Sequence, residues 1–198
     1  MTRLMATAIE AFKQDNEILV IYQDQNPWNP REEFENLFKF AFFGTDFRSV
    51  NDEGLNEEQA QEIQKSRDYI SFPVYMYDHS AVAFSMRPFS CPWDSGCVGI
   101  TYCSKEDIRK NWDWWKITAK RLEKVRRCAE LELEAYSCYA NGDIFGFVLY
   151  RDNEEFDSSW GYFGDDHEES GLFQNAGFKK GCYEAINIDE AFKEELAA

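Results

Sequence analysis

Along residues 70–77 every second position is apolar, with Ile70, Phe72, Val74 and Met76 on one face. A period of two predicts a strand. Asp78-His79-Ser80 reads as a turn and residues 81–86 as the returning strand, so the two make a hairpin. Apolar and β-branched runs predict further strands at 17–23, 37–43, 97–103, 143–151 and 155–163, the last two joined by a turn of three to five residues around 152–154. Elsewhere the period is that of a helix. Leu122, Val125, Ala129, Leu133, Tyr136 and Ala140 step by three or four, which predicts one long helix over 118–140 stopped at Asn141-Gly142. Shorter helices are expected at 2–14 (with Leu4, Ile9 and Phe12 apolar), at 56–69 behind an Asn56 cap, after a Ser104 cap, within the acidic tail, and over 188–198.

Strands outnumber long helices, and hairpins imply antiparallel pairing. The expectation is a single α+β domain over residues 1–198. It has an antiparallel sheet of about five to seven strands, one long helix packed on a face, and short peripheral helices. An acidic C-terminal extension begins near residue 164.

Composition narrows the class. With 44% hydrophobic and 17% aromatic residues, the chain can bury a core and is not a disordered polymer. No apolar run reaches the roughly 20 residues that span a bilayer. The N-terminal stretch lacks a signal-peptide pattern, so a cytoplasmic location is expected, in the host cell if the protein is phage-encoded. Six cysteines (91, 97, 103, 128, 138, 182) form no CxxC pair and accompany only two histidines, so no metal site or cofactor is expected. They read as reduced, mostly buried small hydrophobes.

Net charge is −16. That sign repels nucleic acid and anionic membranes and favours a basic protein partner. The charge is uneven. Residues 104–127 hold nine bases against four acids, a local +5, while residues 151–198 hold four bases against 13 acids, a local −9. In the long helix the bases come first and Glu130, Glu132 and Glu134 later, which opposes the helix dipole at roughly 0.3–1 kcal/mol per terminal charge. Packing or binding must outweigh that cost.

Three groups could carry chemistry. Asp78, His79, Ser80, Cys91, Asp94 and Ser95 lie in two turns, but about six residues of strand, roughly 20 Å, separate His79 from Cys91. That distance argues against a thiol–imidazole pair unless the loop folds back. In the bland reading Pro88, Pro92 and Gly96 stiffen the loop and Trp93 plugs the core. Second, Asp165-Asp166-His167-Glu168-Glu169 has hard-ligand types without EF-hand spacing and reads as an exposed helix start. Third, Trp112, Trp114 and Trp115 sit in WDWW. Trp114 and Trp115 cannot face the same way, so one is a candidate partner anchor or the seam of a homo-oligomer. Nucleotide-loop, dinucleotide, nucleophile-elbow and zinc-protease motifs are missing.

The segment YMYDHSAVAFSMRPFSCPWDSGCVGITYCSKEDIRK resembles a family of small, mostly uncharacterised bacteriophage and mobile-element proteins with the pattern YxYDHSxxxxxxxPFSCPWDSGxxGxxY. EAYSCYANGDIFGFVLYRD and FDSSWGYFGDD are similar too, and about two thirds of the chain is covered by the resemblance. It implies a phage accessory role and supplies no catalytic residues. Residue 97 is Cys where that family usually has Gln, which implies that position 97 is not essential chemistry.

The expected function is therefore non-enzymatic: an acidic, DNA-mimic-like surface that binds and modulates or inhibits a host nucleic-acid-handling (defence or replication) protein. Expected contacts are Asp152, Glu154, Glu155, Asp157, Asp165, Asp166, Glu168 and Glu169, with Trp114 and Trp115. The alternative is a small hydrolase-like enzyme using Asp78, His79, Ser80, Cys91 and Asp94.

Overall fold

A computed structural model describes residues 8–43, 50–152 and 154–193. The fold is mixed α+β, with two antiparallel sheets rather than one. The chain divides into two compact units, Met1–Trp28 with Gly142–Ala198, and Asn29–Asn141.

The first unit holds strands β1 (Ala8–Gln14), β2 (Glu17–Gln23), β7 (Ile144–Arg151), β8 (Glu154–Phe163) and β9 (Glu184–Ile186), in the order β8-β7-β2-β1-β9. Strands β2 and β7 pair although the whole second unit lies between them in sequence. Both are buried on both faces, with alternate residues feeding separate clusters. Leu19, Ile21, Phe147 and Leu149 pack with Leu172 and Phe173 of helix α5 (Leu172–Asn175). Ile18, Val20, Tyr22 and Val148 pack with Ala191 and Phe192 of helix α6 (Ile188–Lys193). Leu172, Phe173, Ala176, Phe178, Ala191 and Phe192, all beyond residue 164, are thus part of the core.

The expected helix at 2–14 is overturned where it is described: residues 8–14 form β1, and 2–7 lie outside the described residues. Asp15, at φ 52, and Asn16 close a two-residue hairpin, since Gln14 pairs with Glu17. That turn chemistry looks like a helix stop when the partner strand is unknown. The 151–154 turn is likewise shorter than expected, because Arg151 pairs directly with Glu154. Gly146 and Trp160 are cross-strand partners. A Cβ on Gly146 would stand 2.2 Å from the Trp160 ring, so the glycine leaves room for the indole.

The second unit holds β3 (Lys39–Phe42), β4 (Tyr69–Asp78), β5 (Val82–Ser85) and β6 (Ser95–Ser104), in the order β3-β6-β4-β5. Its helices are α1 (Pro30–Glu33), α2 (Glu57–Lys65), α3 (Lys105–Asn111) and α4 (Ala119–Asn141). Asn56 and Gln59 form a reciprocal capping box on α2, and Ser104 caps α3, as their positions predict. The apolar stripe of α4, Val125, Ala129, Leu133 and Tyr136, covers Phe40, Phe42, Val74 and Phe84. Ala60 of α2 joins Ala41, Ile100 and Tyr102 on the opposite face.

Helix α4 also closes the free edge of β5. The Asn141 amide accepts from Val82 N at 2.7 Å and donates to Val82 O at 2.7 Å, and Ser137 Oγ accepts from Phe84 N at 3.0 Å. One side chain thereby does what a neighbouring strand would do. Asn141→Ala strands a half-buried N–H and C=O and should cost about 2 kcal/mol. Asn141→Asp keeps the acceptor for Val82 N but turns an anionic oxygen on the Val82 and Ser137 carbonyls, so it should cost at least as much; urea midpoints of the two variants give the comparison.

Candidate functional site

The YDHS and CPWDSG turns meet. Strand β6 runs antiparallel to β4, so its first residue lies beside the last residues of β4, at the hairpin tip. Loop 86–94 therefore walks back along the hairpin. Asp78 N donates to Asp94 O at 2.8 Å, and Tyr77 rests on Phe89 with ring centroids 5.7 Å apart. The Cys91 thiol donates to Asp94 Oδ2 at 3.2 Å, and the same oxygen stands 3.9 Å from His79 Nδ1. Ser95 Oγ donates to the Cys91 carbonyl at 2.5 Å. His79 is 66% exposed at its side chain, and Ser80 is exposed.

The loop does fold back, so the expected 20 Å separation of His79 and Cys91 does not hold: the thiol is hydrogen-bonded to the Asp94 carboxylate, and the imidazole stands 3.9 Å from it, beyond hydrogen-bond reach. Trp93 does not plug the core either; it is 92% exposed. The thiol's partner is the carboxylate, whereas thiol catalysis pairs the sulfur with the imidazole.

The acidic residues fall into two groups, because β8 runs between them. Asp152, Glu154, Glu155 and Asp157 are exposed at its start, on the outer edge of the sheet. Roughly 20 Å of strand separates Asp157 from Phe163. Phe156 is the extra residue of a bulge, exposed, with the Arg151 guanidinium 3.7 Å over its ring. That guanidinium also pairs with Glu17, so it does not neutralise the edge. Among the described residues no base pairs with Asp152, Glu154, Glu155 or Asp157.

Beyond β8, Asp165 and Glu169 are exposed, while Asp166 and Glu168 have internal work. Asp166 Oδ1 accepts from Glu168 N at 3.0 Å and Glu169 N at 2.9 Å, and these bonds hold its carboxyl below the usual range. Glu168 pairs with Lys180 and accepts from Tyr183 OH at 2.7 Å; burial and this bond push the Tyr183 phenol up to about 12. His167 is buried, edge-on to Phe145 and Phe173. The segment is a turn with a core histidine, not an exposed helix start. Among the described residues no group of three or more His, Cys, Asp or Glu could hold a metal.

Compared with family models, with curated proteins and with solved structures, the chain finds no match. The site is therefore read from its own geometry.

Trp112 and Trp114 stack at 4.8 Å and pack on the second unit's core, with Arg121 4.8 Å over Trp114. Trp115 is 84% exposed, so the expected opposition of Trp114 and Trp115 holds. All six cysteines are free, but only Cys103 is buried, and Cys97 and Cys182 are exposed. Burial pushes the Cys103 and Cys128 thiols up to about 12 and about 11. No described helix is long and apolar enough to cross a membrane.

Proposed function

We propose that this is a phage-type accessory protein that acts by binding: it presents the acidic edge of β8 to a basic surface of a nucleic-acid-handling host protein, where phosphates would otherwise sit. The observation that carries the reading is the run Glu154, Glu155 and Asp157, exposed on a sheet edge with no ion-pair partner among the described residues. The local −9 of residues 151–198 adds the long-range attraction that speeds encounter with a basic partner. The resemblance to bacteriophage proteins supplies the setting. The enzyme alternative gains from the nearness of Cys91 and His79 to the Asp94 carboxylate, but it lacks the sulfur–imidazole pairing.

The test is capture of host proteins on wild type and on the triple variant Glu154→Lys, Glu155→Lys, Asp157→Lys, at low and high salt. The expected partner is lost at least tenfold with charge reversal or salt, and DNA duplex competes for it. A partner held equally by both proteins, or one that binds DNA and this protein together, overturns the reading.

A further inference from the structure

We propose that the second unit carries a binding groove for a mononucleotide, independent of the acidic edge. A groove of about 680 Å³ opens between the start of β4, helix α3, residues 115–118 and the first turn of α4. That volume suits one small organic ligand. Its floor is aromatic and aliphatic, with Tyr69, Phe72 and Leu122. Its rim is cationic, with Lys105, Arg109 and Lys116, and Trp115 stands at its mouth.

The rim charges are available. Lys105 donates to the Arg67 carbonyl, which holds its ammonium without neutralising it. Among the described residues no acid pairs with Arg109 or Lys116. The bases of residues 104–127 divide in the structure. Arg121 lies over Trp114, and Arg126 lies 4.9 Å over the Phe72 ring, so these two pack. Arg109, in the last turn of α3, and Lys116, whose ammonium lies 5.9 Å from the Trp115 ring centroid, line the groove beside a helix start that carries no acid in its first turn. Three cations thus line one groove with no ion-paired acid among the described residues, in a chain of net charge −16.

An anion relieves that imbalance, and a planar ring matches the exposed indole. Phosphate on Arg109 and Lys116 with a base against Trp115 meets both requirements. Size and charge favour a single nucleotide over a nucleic-acid strand. A monophosphate carries about −2 and answers the local field, whereas a polyanion also meets the repulsion of the whole chain.

Titration of the intact protein with AMP and GMP, followed by tryptophan fluorescence and calorimetry, tests the proposal. Adenosine, inorganic phosphate and an oligo(dT) strand are the comparison probes. At least one nucleotide should bind at least tenfold more tightly than adenosine or phosphate alone. Arg109→Ala and Trp115→Ala, both exposed positions whose melting temperatures serve as folding controls, should each weaken it about tenfold, in line with the worth of one charge-assisted bond or one stacked base. Failure of both nucleotides to bind at millimolar concentration overturns the proposal. So does equal binding of inorganic phosphate, tighter binding of oligo(dT), or unchanged affinity in both variants.

Discussion

Replacing Arg31 with methionine should remove about 3–5 kcal/mol of stability, far more than a surface ion pair would. The Arg31 side chain is 6% exposed and holds two carboxylates, Glu132 Oε2 at 3.0 Å and Asp52 Oδ2 at 2.5 Å. It also donates to the Phe38 carbonyl at 2.7 Å and lies 3.7 Å over the Phe40 ring. Those carboxylates have second tasks. Glu132 accepts from Leu37 N and Phe38 N, and Asp52 accepts from Phe40 N. The guanidinium therefore joins α1, the approach to β3, β3 itself and the middle of α4. Methionine leaves two shielded anions facing each other. Lysine should rescue poorly, since one ammonium cannot hold both acids and stack on Phe40.

Acid should narrow the deficit. Burial raises the Glu132 carboxyl above its ordinary range, while the Phe38 amide and Arg31 pull it down. Without Arg31 it rises further. A carboxyl raised in the folded state favours folding most below its unfolded value near 4.5, and that favour is lost as pH climbs through the folded value. The gap in urea-derived stability between wild type and Arg31→Met should thus be smaller at mildly acidic pH than at neutrality. Other carboxylates titrate in both proteins and cancel in the difference. A variant within about 1 kcal/mol of wild type at neutral pH would show that the acids do not depend on the guanidinium.

Gly99→Ala should cost about 3 kcal/mol, at the upper end of what overpacking does. A Cβ there would stand 2.0 Å from the Ala41 carbonyl oxygen and 2.9 Å from Phe42 Cα. Both are backbone atoms of β3, so no rotamer relieves the contact, and β3 must part from β6. That strand brings Phe40 and Phe42 to the core under α4. Gly96, three residues earlier on β6, has nothing within 4 Å of the same position. Gly96→Ala should therefore stay within about 0.5 kcal/mol of wild type. Equal denaturation midpoints for the two alanine variants would contradict the close approach of β3.

Much of the local structure was legible. Alternation placed β4 and the strand after it, the three-and-four spacing placed α4, and Asn56 and Ser104 marked their helix starts. Glu132 was also within reach, since it lies three residues after Ala129 and four before Tyr136, on the flank of the apolar stripe. The basic run at 104–127 signalled the groove by its charge, but not by its shape.

The chain's local pattern determined β2 and β4 to β8, where α4 lies and which of its faces is buried, because these depend on neighbours a few residues apart; β1 and β9 it did not mark. Partners were decided by the tertiary structure. Whether β2 pairs with β7, whether loop 86–94 returns Asp94 to His79, and whether Arg31 meets Glu132 depend on contacts between residues far apart in sequence. Periodicity carries no information on such pairings: an alternating strand buries its apolar face equally well beside any partner of the right length. Only the assembled sheets and the helices across them select one.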